Sequence, residues 1–422
     1  MCKVKSLLIV LFITNYLNHA TTENYEKSFP KEEENINKFI EEETKSFLAK
    51  LNEKREKEEK EAITIEQIRN DLEVNEKNQI LIDILNNFSE TLKNQNENRR
   101  NDEIEYIEID KKKYCNKITI EAKKGIMFAS DTHADAKMVK KIFYFFDQLK
   151  NKNEIDKLVF LGDYGDRGSY WTYTYFLLAA MAAKYGENIL FIRGNHEDIG
   201  IVLLYGGAVR GAIWNNRKCT NNCWNEMPLI CEITWNQKKI FCSHGAIPLN
   251  KNGEWLYYEK KTVRSQEPIF LANWNENIFT EDLKQEIQPS YRESGYEIPI
   301  KKIFDNMEDK GYDWSIHGHV HKNQCGILKK KNKRVVTVVA NEFYYNKKGL
   351  PFLPAVYIIN DKNPNGTFFN LLQKENERIK GFDKEHPTNG KVLNNCVIYE
   401  YDFENGRNIL KKICCCWDIC EK

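Results

Sequence analysis

Near Tyr114 the apolar residues change their rhythm. Before it they sit at helical spacing in a highly charged background: Ile36, Phe39, Ile40, Phe47, Leu48 and Leu51 make one narrow stripe, and Ile80, Leu81, Ile84, Leu85, Phe88 and Leu92 make a second. Residues three and four apart share a helix face, so two amphipathic helices are predicted. After Tyr114, short apolar runs that end in polar residues alternate with helical stretches. Strands are expected over 118–121, 126–129, 158–161 and 189–192, with helices over 137–149 and 173–185. Further strands are expected over 229–234, 239–242, 334–340, 355–359 and 396–401. Alternation of this kind is that of βαβ units, which collect ligand groups at the carboxyl ends of their strands.

Composition narrows the picture only a little. A chain of 422 residues, at roughly 150 residues per domain, holds two or three domains or one large domain with appendages. The 63 basic residues nearly cancel the 62 acidic ones, which gives no reason to expect nucleic acid as a partner. The charge is unevenly spread, because eighteen of the thirty residues from 31 to 60 carry it. Residues 21–103 are therefore expected to be a charged, solvated helical extension, with partner binding as its sharper reading. Residues 104–360 are expected to form the main domain, and 361–422 an extension completing the sheet.

Lys3 and Lys5, an apolar run over 6–14 and a small residue at Ala20 follow the order of a secretory signal cleaved after residue 20. That implies a secreted protein or one of the endoplasmic reticulum lumen. The run is shorter than the about 20 residues a spanning helix needs, and no transmembrane segment is expected elsewhere. In such a compartment some cysteines should pair. Cys219 and Cys223 are neighbours, and Cys414, Cys415, Cys416 and Cys420 crowd the C-terminal end.

Five polar clusters each follow a predicted strand: Asp131-Thr132-His133, Gly162-Asp163 through Asp166-Arg167-Gly168, Arg193-Gly194-Asn195-His196-Glu197, Ser243-His244-Gly245 and His317-Gly318-His319-Val320-His321. Asp131, His133, Asp163, Asn195, His244, His319 and His321 supply oxygen or nitrogen donors. Mixed imidazole and oxygen ligands suit zinc, iron or manganese. Two such ions about 3.5 to 4 Å apart clamp a phosphoryl group and turn water into a nucleophile.

With these motifs in this order, the chain resembles the calcineurin-like metallophosphoesterases and, within them, the phosphoprotein phosphatase family. The resemblance covers roughly residues 116–360. It implies an α/β (α+β) fold, a central β-sandwich of mixed strands flanked by helices, with the helical extension added at the N-terminal side. It also implies two divalent or trivalent ions of manganese, iron or zinc. Asp131 and His133 would hold the first and Asp163 both, while Asn195, His244 and His319 would hold the second. His321 either reaches the first metal or is not a ligand. His196, oriented by Asp166, would protonate the leaving alkoxide, and Arg167 and Arg292 would bind phosphate. The implied reaction is hydrolysis of phosphoserine or phosphothreonine in a phosphoprotein by direct attack of a metal-bound hydroxide. Another phosphoester or anhydride, such as phosphotyrosine or a dinucleoside polyphosphate, is the alternative substrate, and a catalytically silent binding module the alternative class.

The sequence departs from the family pattern at four positions. Ser130, Ala134 and Ala246 stand where glycines are usual, and Phe343 where a tyrosine is common. Arg193 is read as a structural partner and Cys242 as a core residue.

Overall fold

The computed structural model describes residues 29–69, 79–109, 111–168, 170–205, 210–255, 262–263, 272–278, 286–290, 294–320, 326–340, 354–371, 397–400 and 411–414. Helices α1 (Phe29–Lys57), α2 (Ile65–Arg69) and α3 (Gln79–Glu97) come first. They are followed by β1 (Ile104–Ile109), β2 (Lys112–Ala122), β3 (Gly125–Ala129), α4 (Ala136–Asn151), β4 (Lys157–Phe160), α5 (Trp171–Tyr185) and β5 (Ile189–Phe191). Three short helices, α6 (Ile199–Tyr205), α7 (Arg210–Asn215) and α8 (Arg217–Asn225), precede β6 (Ile230–Trp235) and β7 (Lys238–Ser243). The chain continues through β8 (Thr262–Val263), β9 (Glu276–Ile278), β10 (Gln288–Pro289), β11 (Tyr296–Pro299), α9 (Ile300–Lys310) and β12 (Trp314–His317). Last come β13 (Gly326–Lys330), β14 (Lys333–Thr337), β15 (Ala355–Asn360), β16 (Asn363–Asn370), β17 (Val397–Glu400) and β18 (Lys411–Cys414).

Two sheets carry the fold. The smaller runs β16-β15-β3-β4-β5, and the larger runs β18-β17-β13-β14-β12-β7-β6-β2-β1-β8. Successive side chains of a strand point to opposite faces, and here that alternation makes the layers. Ile126, Phe128, Val159 and Ile359 of the smaller sheet meet Ile118, Cys231, Ile240 and Trp314 of the larger one. Met127, Ala129, Leu158 and Phe160, one residue out of step, face a helical layer. On the far side of the larger sheet, Phe241 and Val335 pack on Ile303, Phe304 and Met307 of α9. The architecture is a mixed α/β sandwich, helix on sheet on sheet on helix.

The N-terminal helices are part of this packing, which differs from the solvated extension expected. Ile36, Ile40, Phe47 and Leu51 of α1 and Leu81, Ile84, Leu85 and Phe88 of α3 are buried in the same cluster as the outer face of the smaller sheet. The reason lies in α5, where thirteen of fifteen residues are buried. A helix apolar on every side must be covered on every side; the sheet covers one flank and α1 and α3 the other. Polar contacts fix the register. Arg55 and Lys60 pair with the buried Asp83 across α1 and α3, Arg69 Nε donates to Tyr173 Oη at 3.3 Å, and Asn96 Nδ2 donates to the Glu226 carbonyl at 2.9 Å.

The expected disulfides are absent among the described residues, where Cys115, Cys219, Cys223, Cys231 and Cys242 are free thiols. Cys223 points into the core and Cys219 Sγ donates to Asn86 Oδ1 at 2.7 Å, so the two neighbours on α8 face different surroundings. Cys415, Cys416 and Cys420 lie outside the described residues, as do residues 1–28. No helix among the described residues is long and apolar enough to cross a membrane.

Because the extension shares a core with the smaller sheet, the two should unfold together. Phe88→Ala, at a fully buried position, is expected to cost about 3 to 5 kcal/mol in urea denaturation. Tryptophan fluorescence and helical circular dichroism should shift by the same amount. A sheet transition unmoved by the substitution would show that the helices are a separate unit.

Candidate active site

Strand ends place the polar clusters together. Asp131, Asp163 and Asn195 follow β3, β4 and β5 of the smaller sheet, while His244 and His319 follow β7 and β12 of the larger. Seven residues of these loops hold left-handed backbone without being glycine: Asp131, His133, Ala134, Asp163, Asp166, Arg167 and His319, with φ between 45° and 62°. Each such residue costs roughly 1 to 2 kcal/mol, so the surroundings must impose the shape. The amides of Asp131, His133 and Ala134 donate to the carbonyls of Gly162, Asp163 and Tyr164 at 3.0, 2.9 and 2.7 Å. The buried Glu197 carboxylate accepts from the amides of Asp163, Tyr164 and Gly194 at 2.8, 3.0 and 2.9 Å. Burial, aided by the nearby Asp163 charge, pushes its pKa up to about 7. Gly194 is obligatory for this approach, since a Cβ there would lie 2.3 Å from Asp163 Oδ1.

Asp163 turns one oxygen to each of two donor sets. Its Oδ1 lies 3.2 Å from His244 Nε2, and Asn195 Oδ1 lies 2.9 Å from both His244 Nε2 and His319 Nδ1. Adjacent donors on an ion with bonds of about 2.0 to 2.2 Å are themselves about 3 Å apart, which is the spacing seen. Asp163 Oδ2 faces the other set, 3.6 Å from His133 Nε2, which is 3.9 Å from Asp131 Oδ1. Both sets are fully buried.

The remaining hydrogen bonds aim the donors. His133 Nδ1 is 3.0 Å from Asp166 Oδ1, and His244 Nδ1 donates to the Leu161 carbonyl at 2.7 Å. Each ring thus presents its second nitrogen to the crevice, the usual support of a metal-binding histidine. Ser130 Oγ and the His319 amide donate to Asp131 Oδ2 at 2.6 and 3.0 Å, which leaves Oδ1 for the crevice. Ser130 thus replaces a usual glycine with a hydroxyl that orients a ligand. Asp163 Oδ2 has no hydrogen-bond partner among the described residues. Burial opposes ionisation of Asp163, yet the His244 and His196 charges hold its pKa well below the usual carboxylate range. Burial likewise lowers His244, and Asp163 more than reverses this, bringing it up to about 9. A proton is therefore favoured between acceptors where a cation would otherwise sit. The donor chemistry and spacing fit two metal ions.

Beside them, His196 Nδ1 bonds Asp166 Oδ2 and its Nε2 accepts from Arg167 Nη2 at 2.9 Å. Burial holds the His196 pKa below the usual imidazole range despite the carboxylates near it. One carboxylate, Asp166, thus orients both His133 and His196, a double contact that the motif alone does not reveal. Arg193 donates to the Glu197 carbonyl and to Asn225 Oδ1, both at 3.1 Å, and Cys242 lies between the sheets. Arg292, His321 and Phe343 lie outside the described residues. Sequence reasoning missed the anchoring by Glu197, although it stands inside a quoted motif. It also missed Glu276, a buried acid with Oε1 3.8 Å from His319 Nε2, which no motif marks.

A sandwich whose strand ends converge on paired nitrogen and oxygen donor sets, with an arginine and an oriented histidine alongside, is an arrangement suited to metal-assisted chemistry on a phosphoester. Residues 125–323, nearly half of the chain, match the calcineurin-like phosphoesterases. Its relatives include serine/threonine-protein phosphatase BSL2 of Arabidopsis thaliana, 32% identical over 162 residues, 36% of this chain and 15% of that protein. A provisionally named serine/threonine-protein phosphatase of Caenorhabditis elegans is 30% identical over 134 residues, 30% of this chain and 34% of the relative. The match thus spans about a third or less of either relative. A solved serine/threonine phosphatase from Saccharomyces cerevisiae is 15% identical, with 71% of this chain and 90% of that one covered at a TM-score of 0.48. Members of the family use divalent metals.

Next to the crevice, burial and the His244 charge hold His317 down to about 3, and its Nε2 lies 3.0 Å from Thr337 Oγ1. The folded state refuses a proton that the unfolded chain accepts below about pH 6.5. Stability should therefore be fully present above that pH and fall by up to about 1.4 kcal/mol per unit as pH drops toward 3. His317→Gln, measured in the metal-free protein, is expected to flatten the slope between pH 6.5 and 4.5. An unchanged slope would remove His317 as its source.

Proposed function

We propose that the chain is a phosphoprotein phosphatase acting on phosphoserine and phosphothreonine. The observation that carries this reading is the placement of His196: Nδ1 on Asp166, Nε2 beside Arg167 and 3.8 Å from Asp163 Oδ2. An alkyl alkoxide is a poor leaving group and departs readily only when a positioned acid supplies its proton. Two metals held by Asp131, His133, Asp163, Asn195, His244 and His319 would polarise the phosphoryl group and lower the pKa of water. The protein's own groups do the rest. Arg167 turns its planar fork from His196 to the phosphate oxygens, which frees Nε2 to face the ester oxygen. The negative charge of the phosphate beside Nε2 favours a proton there despite the burial, and Asp166 stabilises the protonated ring until that proton passes to the ester oxygen. The serine/threonine phosphatases among the relatives support the choice of substrate, and the signal-like residues 1–20 support routing to the secretory pathway.

The purified chain should release phosphate from phosphoserine peptides with manganese, iron or zinc and stop when chelated. Faster turnover of phosphotyrosine or a dinucleoside polyphosphate would favour the alternative substrates, and no turnover by folded, metal-loaded protein would exclude catalysis. His196→Asn should keep its metals yet lower phosphoserine turnover about 10²- to 10⁴-fold. On an aryl phosphate with a good leaving group its loss should be far smaller. Equal losses on both substrates would make His196 a structural residue.

A further inference from the structure

We propose that Glu276 is a positioning residue for the second donor set, holding His319 with its lone pair on Nδ1; the inference rests on the two-metal reading above. Among the described residues three imidazoles belong to the donor sets, and each must direct one nitrogen inward and settle the other. His133 leans on the Asp166 carboxylate and His244 on the Leu161 carbonyl. His319 turns Nδ1 inward, 2.9 Å from Asn195 Oδ1. Its Nε2 looks the other way, where Glu276 Oε1 stands at 3.8 Å, the two side chains being 1% and 3% exposed. That is ion-pair rather than hydrogen-bond distance, so the carboxylate acts here through its charge. A buried carboxylate loses several kcal/mol of hydration unless a positive or N–H partner answers it. His319 is such a partner.

The segment carrying Glu276 is fixed independently of any ion. Asn275 Nδ2 donates to the Ile247 and Leu249 carbonyls at 3.1 and 2.9 Å, and Asn275 Oδ1 accepts from the Tyr296 amide at 3.0 Å. The amides of Gly245 and Ala246, just after His244, donate to the Ala272 and Asn275 carbonyls at 2.8 and 2.7 Å. Trp274 sets its ring edge-on to His319, centroids 5.6 Å apart at 77°. Ring plane and tautomer are thus both addressed from residues 274 and 276. With N–H on Nε2 facing the carboxylate, Nδ1 keeps its lone pair for the crevice, and the added negative charge raises its basicity.

The test uses the full chain and the metal alone. Wild type should bind two Mn²⁺ in calorimetry with chelator competition. Glu276→Gln, nearly equal in shape, should weaken one of the two ions by about 10- to 100-fold and leave the other unchanged. Nitrogen-15 NMR of the metal-free Glu276→Gln protein should show the His319 ring losing its single tautomer. Glu276→Asp, which keeps the charge on a shorter arm, should give an intermediate loss and serves if the amide variant does not fold. Unchanged affinities in the variants, or equal weakening of both ions, would overturn the assignment. Wild type that binds fewer than two ions would instead overturn the two-metal reading.

Discussion

Asp163 is the residue on which the crevice depends. Although fully buried, its carboxyl is held well below the usual carboxylate range by the histidines around it, and it has one oxygen in each donor set. Taking a charge out of water is tolerable only when opposite charge or donors surround it. The two loops that cradle Asp163, the paired sheets and the buried Glu197 hook all serve that end. Without cations, protons on the histidines do the neutralising, which is why His244 is driven up to about 9. Metal ions would take over the same task and release those protons.

The loops pay for this placement in backbone strain. Left-handed conformations recur through Asp131, His133, Asp163, Asp166 and His319, so ligands from three of the five loops sit in a sparsely populated region. The strain is held by amide-to-carbonyl bonds between the loops after β3 and β4 and by the three amides on Glu197. Each loop needs its neighbour to keep its shape. The same coupling lets Asp166 serve two histidines, one in a donor set and one at its edge, from a single fixed carboxylate.

Much of this was legible in the sequence. The strands after Tyr114 lie within a few residues of their expected positions, because short β-branched runs ended by polar clusters leave few alternatives. The clusters converge because each follows a strand end. The division into two sheets was not legible, since alternation shows which residues share a face and not which sheet they join. Helices α6, α7 and α8 were not foreseen, as residues 199–225 carry only weak helical periodicity and several glycines. The docking of α1 and α3 was misjudged because their charge drew attention away from α5. That helix, apolar all round, already required a cover. Glu276 left no trace, since a lone acid between asparagines looks like any loop until the fold brings it beside His319.

The cover on α5 also orders events during synthesis. α1 and α3 leave the ribosome before the surfaces they pack on, α5 and α8, have been made. Until residue 185 has emerged, the stripes from Ile36 to Leu92 lack α5, the helix on which both of them pack. Domains fold as units during synthesis, and this one cannot begin from its own N-terminal end. Everything up to residue 185 must therefore be made before α1 meets the helix it helps to cover, and a holding chaperone has that interval in which to act.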